Sequence, residues 1–133
     1  GKNPSSMTAA SFGLQSMQHA APTAFSESVQ ELAAILEQAM EQNIYRVEHD
    51  ITTRLRRLAE HLGHYRARPR DLVQAYVQAL SQKTEGELPQ KARAYTEEGR
   101  LLLVELMGFL ATFYFNQCLG KDENAIEGMR GAS

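Results

Sequence analysis

A chain of 133 residues with 43% hydrophobic and 23% charged residues fits one ordinary globular domain, and a formal net charge of -2 excludes a strong overall pull toward nucleic acid or anionic lipid. Cys118 is the only cysteine, which excludes an intrachain disulfide and a multi-cysteine metal site and points to a reducing, cytoplasmic location.

Residues 1–24 are rich in Ser, Ala, Thr and Gly and contain Pro4 and Pro22, so they read as a flexible arm or linker with only a short turn near Phe12 to Met17. They lack the basic start and apolar core of a signal peptide. Gly1 precedes the first methionine, Met7, which suggests a segment of a longer protein with Gly1 left by a tag. The folded domain is expected over residues 25–119. Ser26 and Ser28 are both candidate caps for its first helix, since carboxylates follow each of them in the first turn. Apolar residues then recur at Val29, Leu32, Leu36, Met40, Ile44, Val47, Ile51, Leu55, Leu58, Leu62 and Tyr65, in steps of three and four that predict an amphipathic helix. No proline or glycine stands between Phe25 and Leu62, so one long helix and two nearly collinear ones with a joint around Gln42 and Asn43 both fit. Gly63 and the arginine-rich segment up to Pro69 are expected to end this stretch.

Pro69 opens the next helix, where its missing N–H would have had no partner, and Leu72, Val73, Tyr76, Val77 and Leu80 form its apolar stripe. The loop Lys83–Leu88 carries Gly86, and Pro89 opens a last helix that continues to about Leu119. Within it, residues 101–119 (LLLVELMGFLATFYFNQCL) are apolar almost all the way round. A small domain rarely wraps such a helix on every side, so it either runs through the centre of a bundle or waits for a second chain. A membrane span needs roughly 20 predominantly apolar residues, and Glu105, Asn116 and Gln117 interrupt the run, so no membrane role is assigned. Gly120 is expected to stop the helix, leaving a polar tail over 120–133. No strand-like alternation occurs. The expected architecture is therefore all-α, a four-helix bundle that dimerises, with a long first helix or helix pair.

Signals for chemistry are sparse. His61 and His64, three apart on a helix, are compatible with two metal ligands, but no third or fourth ligand accompanies them, and no metal or cofactor is expected. His19 falls in the arm without a visible partner. The stretch His49-Asp50-Ile51-Thr52-Thr53-Arg54-Leu55 looks like the phosphoacceptor box of histidine kinase dimerisation helices, in which an exposed histidine is the nucleophile and the adjacent acid takes its proton. Arg54 replaces the proline common in that box, and a phosphorelay module using His49 stands as the alternative function. Charge is unevenly spread: Glu27, Glu31, Glu37, Glu41, Glu48 and Asp50 make the first stretch acidic, and Arg54, Arg56, Arg57, Arg66, Arg68 and Arg70 make the next one basic. Aromatic residues do not interleave with these arginines apart from Tyr65, so Arg54, Arg57, Arg66, Arg68 and Arg70 are candidates for docking an acidic protein segment, not nucleic acid. No phosphate loop, nucleophile elbow or paired catalytic carboxylate is present, and no enzyme activity is expected.

The order of these pieces carries a resemblance. Leu62-Gly63-His64-Tyr65, then the proline-started run PRDLVQAYVQAL over residues 69–80, then RLLLVELMGFLATFY over residues 100–114, are similar to the helical domain shared by the C-terminal end of the clock protein KaiA and the N-terminal end of the stress-response phosphatase RsbU. The resemblance covers roughly residues 26–118 and implies a dimeric four-helix domain that holds a kinase-like switch protein or a peptide, and so regulates phosphorylation elsewhere. Leu103, Leu106, Phe109, Leu110, Phe113 and Tyr114 are the residues expected to carry association or central core packing.

Overall fold

The computed structural model describes residues 15–45 and 49–131, and their side chains apart from Tyr45 and those beyond Gly120. The described chain is all-helical, with five helices and no strand: α1 (Met17–Ala20), α2 (Pro22–Tyr45), α3 (Ile51–His64), α4 (Pro69–Thr84) and α5 (Pro89–Gly131). Val47 and Glu48 of the expected first stretch, and Phe12 of the expected turn, lie outside the described residues.

The folded part begins earlier than residue 25. Met17 is buried, and its N–H donates to Asp71 Oδ1 at 3.1 Å, so α1 is pinned beside the start of α4. Pro22 opens α2, which places Ser26 and Ser28 inside the helix and not at its cap. Ser28 is buried, and its hydroxyl donates to the Ala24 carbonyl at 2.9 Å.

Residues 25–66 form two helices, and they are not collinear. Arg54, in the first turn of α3, meets Glu31 in the middle of α2 with Nη2 to Oε1 at 2.6 Å. The chain must therefore double back after Tyr45. Asp50 makes the restart possible, because its side chain accepts the Thr53 N–H at 3.3 Å and supplies one partner for the open first turn of α3. α4 then runs alongside α2 in the same direction: Asp71 near its start holds Met17, and Lys83 near its end reaches Glu37 at 2.9 Å. α5 returns the other way, from an Asn43–Glu98 hydrogen bond of 2.7 Å near its beginning to a Tyr114–Ala67 hydrogen bond further along. It packs on α2, α3 and α4, whereas α3 and α4 barely touch.

Leu32, Ile35, Leu36, Leu55, Leu62, Leu72, Leu106 and Leu110 fill the centre. On α4 the buried face is Leu72, Ala75, Tyr76 and Ala79, while Val73 and Val77 of the expected stripe are exposed. Two glycines mark close crossings. A Cβ on Gly99 would stand 2.5 Å from the Tyr76 hydroxyl and 3.2 Å from Leu36 Cδ2, and one on Gly63 would overlap the Cδ1–Cε1 edge of the Phe113 ring. Gly63 thus lies within the last turn of α3 as a seat for Phe113. The residue that ends α3 is Arg66, in the left-handed conformation at φ 57. Its N–H donates to the Gly63 carbonyl at 2.9 Å, and the Ala67 N–H donates to Leu62 at 3.0 Å, the bonding pair of a Schellman closure.

Gly120 does not stop α5. The helix continues to Gly131, because one glycine costs an exposed helix only about 1 kcal/mol relative to alanine. At 43 residues α5 is about 65 Å long. Its portion Pro89–Gly120 is long and apolar enough to cross a membrane by length and composition, with 17% of the most apolar 18-residue window buried within the chain's own fold.

Candidate functional site

α5 carries two apolar faces. The inner one is Tyr95, Gly99, Leu102, Leu106 and Leu110, all buried. The outer one is Leu101, Val104, Gly108, Ala111, Phe115 and Cys118, all exposed. The outer residues follow one another at steps of three and four without a polar interruption, which is the seam of a coiled-coil strand. Leu101 is 66% exposed, Val104 71% and Phe115 63%, and Leu119 extends the patch at its far end.

The residues expected to carry association or central core packing belong mostly to the other face. Leu106 and Leu110 are core residues of this chain, and Leu103, Phe109, Phe113 and Tyr114 are half-buried at its edge. Phe109 lies under the Arg56 guanidinium, 5.1 Å from Cζ to ring centre, and Phe113 meets His64 edge-on at 5.2 Å between ring centres. The Tyr114 hydroxyl donates to the Ala67 carbonyl at 2.5 Å. Burial pushes its pKa above the ordinary value of 10.0, the nearby Asp71 carboxylate adds to that, and Arg66 opposes it. The phenol therefore stays protonated and able to donate at neutral pH. Sequence reasoning missed Leu101, Val104 and Phe115 as a separate set, although their spacing was present in the apolar run.

The five candidate arginines do not form one edge. Arg54 and Arg57 share a cleft with Glu27, Glu31, Leu58 and His61, where Arg54 is already matched to Glu31. This cluster is an internal tie between α2 and α3. Arg66, Arg68 and Arg70 sit at the opposite end of α3, around the corner that leads into α4. The Arg68 N–H donates to Asp71 Oδ2 at 2.8 Å, so the buried Asp71 carboxylate takes one main-chain N–H on each oxygen and fastens α1, the corner and α4 together.

The histidines are scattered. His61 meets Tyr65 edge-on at 5.2 Å while His64 meets Phe113, so the two rings serve different aromatic partners. Ser16 Oγ lies 2.8 Å from His19 Nδ1, which gives His19 the partner the sequence did not show. His49 falls in the turn before α3, where its N–H donates to Gln42 Oε1 at 3.1 Å and its Nε2 stands 3.2 Å from Glu41 Oε2. Asp50 is engaged as the cap of α3. An exposed histidine on a helix face with a neighbouring acid free to take its proton is not what forms here. Among the described residues no group of three His, Cys, Asp or Glu side chains is placed to hold a metal ion.

No protein family, curated protein or solved structure matches the chain.

Proposed function

We propose that the chain is a non-catalytic regulatory protein-interaction domain, a four-helix bundle of α2 to α5 that forms a homodimer through the outer face of α5 in a reducing, cytoplasmic setting. The observation that carries this reading is the uninterrupted apolar seam from Leu101 to Cys118 on the solvent side of a helix whose inner face is already buried. Exposed apolar surface in one connected strip marks an interaction site more often than scattered single residues do. Burying each large side chain of the seam contributes about 1.5–3 kcal/mol.

Gly108 supports a second copy in particular. A glycine inside an exposed helix costs about 0.5–1 kcal/mol relative to alanine, and a Cβ there would meet nothing of this chain within 4 Å. With Ala111 beside it, Gly108 leaves room in mid-seam for the backbone of another helix, and a two-fold pairing of α5 with itself brings the same strip to both sides. The regulatory part of the reading follows the KaiA and RsbU resemblance, in which the dimer holds a kinase or switch protein.

The test is solution mass by light scattering across a dilution series, on the parent chain and on Val104→Glu. The parent is expected to hold a dimer mass, and Val104→Glu to give a monomer with an unchanged thermal transition. A monomeric parent, or a variant that stays dimeric, overturns the reading. Flotation with neutral lipid vesicles separates the other use of such a face, since a chain that floats with the vesicles is covered by lipid and not by its own copy.

A further inference from the structure

We infer that the second copy lies parallel to the first and in register with it along the outer face of α5, so that Arg100 of each copy meets Glu105 of the other. This rests on the dimer reading and fixes how the two copies are arranged. In a heptad description Leu101, Gly108 and Phe115 take the first core position, and Val104, Ala111 and Cys118 the second. The residues that flank the seam are then Arg100, Met107 and Tyr114 on one side and Glu105, Thr112 and Leu119 on the other. Arg100 and Glu105 are both exposed. Charges in these flanking positions set the choice and orientation of the partner helix.

In a parallel pair each residue of the first flank faces the residue of the second flank that stands one heptad boundary further along the other helix. Arg100 therefore faces Glu105, Met107 faces Thr112 and Tyr114 faces Leu119, and the two-fold axis makes the charged pair twice. An antiparallel pair with the strips fully overlapped sets Leu101 opposite Cys118. Like flanks then face each other, which brings Arg100 opposite residue 121, a lysine, and Glu105 opposite Thr112. Sliding the antiparallel strips by one heptad shortens the overlap and sets Glu105 opposite its own copy or opposite Leu119. Only the parallel arrangement matches both charges.

The fold gives a second, independent reason. Ala94 and Glu97 continue the same stripe one heptad upstream, but there they line a cleft with Met40, Asn43 and Ile44 of α2, and Asn43 donates to Glu98 at 2.7 Å. The open strip thus begins at Leu101, whereas α5 itself runs on to Gly131. With the strips overlapped antiparallel, residues 121–131 of the second copy cross residues 88–98 of the first, beside the end of α2. In the parallel pair residues 121–131 lie along their own counterparts, and the two copies separate before Leu101, which leaves both α2 ends undisturbed.

The experiment uses the whole chain, with diamide as thiol oxidant, non-reducing gels to read covalent dimers, and light scattering on the same samples before oxidation. Equivalent residues meet across a parallel seam, so the parent, through Cys118, and Val104→Cys combined with Cys118→Ser are each expected to give a covalent dimer. A mixture of the parent with Leu101→Cys combined with Cys118→Ser is expected to give no mixed product. Arg100→Glu is expected to weaken association at least fivefold with an unchanged thermal transition, and adding Glu105→Arg to it to restore the parent value within twofold. Mixed products joining residue 101 to residue 118, a dimer that does not cross-link at residue 104, or unchanged or tighter association of Arg100→Glu overturns the parallel arrangement and leaves the dimer. A monomer mass for the parent removes the dimer reading itself.

Discussion

The two sides of α5 are built from the same kinds of residue and have opposite fates. On the inner side Leu102, Leu106 and Leu110 are closed in by α2, α3 and α4, and glycine appears at Gly99 because Tyr76 and Leu36 need its space. On the outer side Leu101, Val104 and Phe115 face solvent, and glycine appears at Gly108 with nothing of the chain against it. The difference shows that apolar content alone does not define a core. What defines it is whether another element of the same chain arrives to cover the strip, and on the outer side none does among the described residues.

The largest effect is expected where the inner side is broken. Leu106→Glu removes a fully buried side chain, worth about 2–5 kcal/mol by analogy with large-to-small core changes, and places an unpaired charge in the centre. A loss of that size approaches the whole stability of a small domain. Far-ultraviolet circular dichroism should show a broadened or absent thermal transition, in contrast to the intact transition expected of Val104→Glu on the outer side. Next comes the seat of Phe113. Gly63→Ala drives a methyl group into that ring and should cost about 1–3 kcal/mol by overpacking, read as a lower urea midpoint with an unchanged slope. Gly108→Ala sharpens the comparison most and moves stability least. It should raise the stability of the isolated domain by about 0.5–1 kcal/mol and, where a second helix packs against Gly108, weaken the dimer in the same dilution series. A variant that gains stability without losing association would place the helix contact elsewhere on α5.

Much of the fold is written in local chemistry. Pro69 and Pro89 open α4 and α5, and Gly86 adopts the left-handed turn at φ 75 between them. These signals act within a few residues and need no neighbour. The reversal between α2 and α3 was hidden because neither proline nor glycine marks it. It depends on Asp50 capping α3 and on Arg54 finding Glu31 across the hairpin, and the second of these exists only in three dimensions. α3 does end where Gly63 and the arginine-rich segment were expected to end it, at His64, but the particular work of Gly63 was hidden for the same reason, since a glycine that seats a ring and a glycine that ends a helix look alike in sequence. Ala75 and Ala79 outrank Val73 and Val77 in burial because their side of α4 is the one packed against its neighbours. Met17 was assigned to a loose arm because its anchor, Asp71, lies 54 residues away. The seam itself was obscured by abundance: where nearly every residue of 101–119 is apolar, periodicity cannot tell the covered side from the open one. The arginines were visible as a run, but only the fold divides them into a cluster matched by Glu31 and a cluster at a cleft.

Cys118 stands in two places at once. It lines the cleft at the α3–α4 corner, and it is the last position of the outer apolar strip. Both features are carried by one uninterrupted helix, so a change to this one side chain alters the mouth of the cleft and the end of the strip together.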